Sequence, residues 1–158
     1  MPKNHFILPT VPDDATVAVR LGAGSAEADR LSALDAGKIV RLVGESRYNL
    51  SAVGEEIEGT IYAVELAPQN GFSIGSVLQR GRIFATFDGL QGTPGTGTIA
   101  VGDIVVAGTP VAKGTAMAGY PKVCKATTPA NVVHKWRVVS LGSVGTGAVG
   151  TVGVIERI

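Results

Sequence analysis

The chain has 158 residues, 45% of them apolar and 17% charged, and its 14 Lys plus Arg against 13 Asp plus Glu leave a formal charge of +1. That length suits one domain or two small lobes sharing a core, and so even a charge balance argues against a long phosphate-tracking surface, so no nucleic-acid partner is expected. The single cysteine, Cys124, excludes an internal disulfide framework, and no apolar run nears the roughly 18 residues of a membrane helix.

Residues 1–14 carry Pro2, Pro9 and Pro12. Proline fixes φ and removes a backbone donor, so this segment reads as an extended arm. Its apolar patch, Phe6, Ile7 and Leu8 followed by Pro9, is the candidate partner-binding site. The start of the chain has neither an apolar signal core nor a small-residue cleavage site, so synthesis in the cytoplasm without export is expected. A short strand follows at 16–21 and stops at Gly22, and a brief helical turn is the reading for 24–35.

From Lys38 onward, apolar β-branched runs alternate with glycine turns, which is the pattern of a sandwich or barrel. The strand candidates are 39–43, 58–66, 76–78, 82–87, 98–100, 104–107, 122–126, 135–141 and 150–157. The glycine-rich stretch 89–97 reads as a linker or exposed loop. Further loops are expected at 111–120, between Pro110 and Pro121, and at 142–147. The fold class is all-β, a jelly-roll-like sandwich or compact β-barrel with an extended N-terminal arm and a β domain over 15–158.

Two stretches of this domain resemble each other. Gly37, Lys38, Ile39, Val40 and then Gly59, Thr60, Ile61 in the first are matched by Gly102, Asp103, Ile104, Val105 and then Lys135, Trp136, Arg137 in the second. Each copy reads as closing on a glycine turn and another strand, Gly75 to Phe84 in the first and Gly150 to Ile155 in the second. Either the chain holds two related lobes, 35–88 and 98–158, or any two strand-turn units would look this much alike; two units are too few for a solenoid.

Reactive groups are sparse. His5 and His134 have no neighbouring ligand at strand or helix spacing, and His134 reads as structural. The acidic run Glu55, Glu56 and Glu58, with Glu45 nearby, lacks the spacing of a calcium loop and reads as a solvated face. Gly145, Gly147 and Gly150 match a dinucleotide fingerprint with no helix after them, and 92–97 lacks the lysine of a phosphate loop. Trp136 reads as a core or interface plug, and Cys124 as a small apolar strand residue. No catalytic residue, metal site or cofactor is expected.

The distinctive residues are the strand-turn phrases. Residues 100–115, Ala-Val-Gly-Asp-Ile-Val-Val-Ala-Gly-Thr-Pro-Val-Ala-Lys-Gly-Thr, and 35–44 with the Arg47, Tyr48, Asn49 and Leu50 that follow, resemble phrases in the capsid cement, or decoration, proteins of tailed bacteriophages. The resemblance covers 35–158 in style and carries over no catalytic or ligand residue. It implies a non-enzymatic viral structural protein: a jelly-roll-like or barrel-like homo-oligomer, dimer or trimer, on the capsid exterior of the virion. Its partner there is the major capsid protein, and it bridges capsomers. The alternatives are a tail or head-tail connector component, and a carbohydrate-binding host-attachment module using the loops at 89–97 and 111–120. Scarce aromatics argue against the last.

Overall fold

The computed structural model describes residues 16–24, 26–65 and 73–158. The arm at 1–14, with Phe6, Ile7, Leu8 and Pro9, lies outside the described residues. The described chain is all β, and of the two architectures expected the barrel is the one formed. Five strands, β1 (Thr16–Leu21), β2 (Ile39–Gly44), β3 (Arg47–Leu50), β4 (Gly59–Val64) and β5 (Ser73–Leu78), close in the order β1-β3-β2-β4-β5 and back to β1. Six more follow: β6 (Arg82–Leu90), β7 (Thr93–Pro94), β8 (Ile104–Ala107), β9 (Lys122–Lys125), β10 (Trp136–Ser140) and β11 (Val152–Arg157). They form a sheet ordered β11-β10-β8-β9-β6-β7, and β11 also pairs with β6, so this sheet closes as well.

The two rings have the same path. β1 lies parallel to β3, and β6 parallel to β9; every other pair in both rings is antiparallel. The registers coincide: Ile39 and Val40 face Thr60 and Gly59, as Ile104 and Val105 face Arg137 and Trp136. Leu21 faces Tyr48, as Phe87 faces Val123. A bulge in β4 between Ile61 and Ala63 recurs in β10 between Val138 and Ser140. Gly37 and Gly102 both sit at positive φ, 83° and 91°, where a side chain is strained. Their amides donate to Ile61 O (2.7 Å) and Val138 O (2.8 Å).

The phrases at Gly37 and Gly102 are therefore equivalent by position in the fold. The match of Gly75 with Gly150 needs correcting, because the register pairs Gly75 with Val64 and Val19, and Gly153 with Ala85 in the corresponding place. The rings divide at 79–81, so β6 opens the second ring and is the counterpart of β1. Residues 89–97 are accordingly no linker: Leu90 N–H donates to Thr96 O (2.9 Å) and Gly95 N–H to Asp88 O (2.7 Å), folding them into a hairpin on β6. The helical turn at 24–35 is two short 3-10 turns, Glu27–Asp29 and Ala33–Asp35. The strand expected at 98–100 is reduced to one bridge, Thr98 with Ala148.

Each barrel has its own apolar interior. Leu21, Val40, Tyr48, Ile61 and Val77 fill the first, and Phe87, Val105, Val123, Trp136, Val138 and Ile155 fill the second. The second core also takes in Ile39, Ile57 and Leu78 from the first barrel, so the rings pack as one body. Burying each of these three contributes about 1.5–3 kcal/mol. The joint is one-sided, since their counterparts Ile104, His134 and Glu156 are not part of the first barrel's core.

The equivalence carries a prediction at Gly75 and Gly153. A Cβ on Gly75 would lie 2.2 Å from Ala63 O and 2.6 Å from Leu21 Cδ1, and one on Gly153 would lie 2.4 Å from Ser140 O and 2.2 Å from Phe87 Cζ. In both places the obstruction is a bulged strand's carbonyl and a core side chain. Gly75→Ala and Gly153→Ala are each expected to lose about 3 kcal/mol in urea unfolding. Gly92→Ala, where nothing lies within 4 Å of the new Cβ, should change stability by less than about 0.5 kcal/mol.

Candidate functional site

Polar side chains converge at two places where the barrels meet, and a third candidate group is buried within the second barrel. The first lies under the loop joining β8 to β9. There Lys38 Nζ donates to Asp35 Oδ1 (2.7 Å) and to Ala112 O (2.7 Å), while the Gly114 amide donates to Asp35 Oδ1 (2.7 Å). The Ser32 amide donates to Asp35 Oδ2 (2.8 Å). Both charged side chains are buried. Burial pushes the Asp35 carboxyl up, but the hydrogen bonds from Lys38, Ser32 and Gly114 and the charge of Lys38 outweigh it and hold the carboxyl below its ordinary value.

The same loop is tied at its ends. Asp88 Oδ2 accepts from the Thr109 amide (2.8 Å) and hydroxyl (2.6 Å), and the Tyr120 ring packs on Phe84 at 5.0 Å between centroids. Between loop and barrels lies a cleft of about 110 Å³ lined by Lys38, Leu50, Thr86, Met117, Tyr120 and Lys122, among others. Its one buried charge, Lys38, is already engaged. Asp35, Lys38 and Asp88 here clamp the loop to the barrels.

The second cluster joins the barrels along the β4 and β10 ends. Glu56 accepts from the Val133 amide (2.8 Å) and the His134 amide (3.2 Å). Arg157 donates to Gln79 O (2.9 Å) and Glu58 O (3.2 Å) and meets His134 Nδ1 at 2.6 Å. His134 thus acts as a structural acceptor. The acidic run does not converge either, because Glu55 turns to the Ala52 amide (2.7 Å) and the Arg41 guanidinium (2.7 Å) while Glu56 reaches the second barrel. Among the described residues no group of three His, Cys, Asp or Glu is placed to hold a metal ion.

The third is Cys124. It is fully buried, and its thiol is pushed up to about 11, first by burial and then by the Asp88 charge against a smaller opposing effect of Lys122. A thiol so placed stays protonated and unreactive at neutral pH. Trp136 is completely buried, and its indole donates to Ile57 O (2.9 Å), so it plugs both core and joint. The Gly145–Gly150 stretch is a turn in which Gly147 O accepts from the Ile99 amide (2.9 Å), with no helix after it.

Several large apolar side chains also face outward. Tyr62, Val101, Val133 and Val144 are each more than half exposed, and Leu42 is 44% exposed. No described helix is long and apolar enough to cross a membrane. Sequence reasoning missed the Asp35–Lys38 clamp and the Asp88 anchor, although a lysine set between Gly37 and the buried Ile39 with an acid three residues earlier was a readable sign. No protein-family model, curated protein or solved structure matches the chain.

Proposed function

We propose that this protein is a virion structural protein that binds the outside of a tailed-phage capsid and cements neighbouring capsomers. The observation that carries the reading is where the polar chemistry goes. Asp35, Lys38, Asp88, Glu56 and Arg157 hold loops and join barrels, and none of these clusters leaves a reactive group open. A body of that kind works by binding, without turnover. The phrases at 35–44 and 100–115 that resemble cement proteins fall on the β2 and β8 regions of the two rings and so belong to its repeated framework.

In this reading the proline-bearing arm docks Phe6, Ile7, Leu8 and Pro9 into an apolar groove of the major capsid protein. The prolines limit the entropy lost on ordering. Several arms from one oligomer engage the same lattice, so individually weak contacts hold firmly together. The test is co-sedimentation with expanded empty capsids. The full chain is expected to pellet at a fixed copy number per capsomer. A chain lacking residues 1–12 is expected to stay in the supernatant with its thermal unfolding unchanged, and undiminished attachment of that chain would overturn the role of the arm. No attachment of the full chain would overturn the capsid reading itself.

A further inference from the structure

We infer that copies of this chain associate head to tail, the loop between β9 and β10 of one copy lying along the open end of β2 in the next. This names the surface behind the self-association proposed above and rests on that part of the reading. The argument starts from a contact the chain already makes with itself. β8 pairs with β10 only through Ile104 and Val105. Beyond them, the free flank of Ala107 is filled by the loop between β3 and β4 of the first barrel. Gly54 N–H donates to Ala107 O (2.8 Å), and Ala107 N–H donates to Glu55 O (2.9 Å).

The first barrel repeats this geometry, but among the described residues no loop bonds to the backbone of Leu42 on that flank. β2 pairs with β4 only through Ile39 and Val40. Leu42 faces Tyr48 as Ala107 faces Val123, so Leu42 is the counterpart of Ala107. Ala107 is 2% exposed, while Leu42, the larger apolar side chain, is 44% exposed. In the turn that ends this edge, Arg47 Nε is buried without a hydrogen-bond partner among the described residues. An open strand flank with an apolar side chain upon it invites backbone pairing from another chain.

The matching half of the contact is also presented. The counterpart of the β3–β4 loop is 126–135, and both loops carry a tight turn: Glu55 N–H donates to Ala52 O (3.2 Å) and Asn131 N–H to Thr128 O (3.0 Å). Residues 127–131 are exposed, and Val133 is 77% exposed. Ala130 and Asn131 take the places in this turn that Gly54 and Glu55 take in theirs, although the loop is two residues longer and its turn is a 3-10 turn, Pro129–Asn131, where Gly54 has a positive φ of 81°. Because this backbone contact sets a loop of one barrel against a strand flank of the other, repeating it between chains gives a heterologous contact, which closes into a ring or runs on as a filament.

The experiment is sedimentation of the purified full-length chain with no capsid present. Leu42→Arg blocks one half of the contact, and Ala130→Arg combined with Val133→Arg blocks the other. The wild type is expected to assemble, each variant alone to be monomeric, and an equal mixture of the two variants to stop at two chains, joined through the one intact pair of surfaces. Unchanged thermal unfolding shows that the variants fold; should either fail to fold, Leu42→Ser and Val133→Ser replace them with the same expectation. A wild type that stays monomeric at its highest soluble concentration, variants that assemble like the wild type, or a mixture that stays monomeric would each overturn the inference. Intact assembly together with failure to pellet with capsids would overturn the capsid reading and leave this one standing.

Discussion

Replacing Trp136 with alanine is expected to cost about 4 kcal/mol of folding free energy. Trp136 is the largest fully buried side chain and sits where the second barrel's core meets Ile57 of the first. Two losses add. Removing the indole opens a cavity among Val105, Val138 and Ile155, and it leaves Ile57 O without the donor that reached it at 2.9 Å. The cavity dominates, since large aromatic truncations cost about 3–5 kcal/mol while an orphaned buried acceptor costs about 1–3 kcal/mol. Trp136→Phe separates them: it keeps much of the volume, loses the N–H and should cost about half as much. Because Trp136 is the only tryptophan, urea unfolding has to be followed by circular dichroism. A loss under about 1 kcal/mol for the alanine variant would mean that the barrels do not depend on this plug.

How far the fold was legible in the sequence depends on which interactions fix each element. The runs at 104–107 and 16–21 carry their own signal, the first as a continuous apolar stretch buried on both faces and the second as an alternating one, and both strands have those bounds. β3 (Arg47–Leu50) lacks it: Arg-Tyr-Asn-Leu has little β-branching, and the strand exists because the two-residue turn at Glu45 and Ser46 folds it back onto β2. The stretch 89–97 reads equally as a linker or an exposed loop because glycine marks flexible chain and tight turns alike, and hydrogen bonds across the turn, invisible in composition, decide for the exposed hairpin. The repeat could be read at Gly37 and Gly102, where a positive φ requires the same residue twice. It could not be read at β1 and β6, where Leu21 and Phe87 share a position and nothing else. At the joint, Trp136 was legible as a plug from its size, whereas the Asp35–Lys38 clamp depends on Ala112 and Gly114, more than 70 residues away.

That clamp carries the second large effect. Lys38→Met is expected to cost about 3–5 kcal/mol, because it strands a buried carboxylate, while removing both charges with Asp35→Leu and Lys38→Met together should recover only part of that, because the Ser32 and Gly114 amides and Ala112 O then lose their partners. The acid dependence separates a stranded charge from a mere packing defect. In the wild type the Asp35 carboxyl is held below its ordinary value of 3.8. Its stabilising contribution is therefore fully present above about pH 4 and is lost as the pH falls through the lower folded value. Without Lys38, two of the influences that hold the carboxyl down are gone and burial is opposed only by the Ser32 and Gly114 amides, so the folded value rises and the stabilisation present above about pH 4 shrinks. Urea midpoints for both chains between about pH 3 and pH 7 should thus converge toward acid and separate toward neutrality. A gap that stays constant across this range would show that Lys38 contributes volume and hydrogen bonds to the loop, with its charge immaterial.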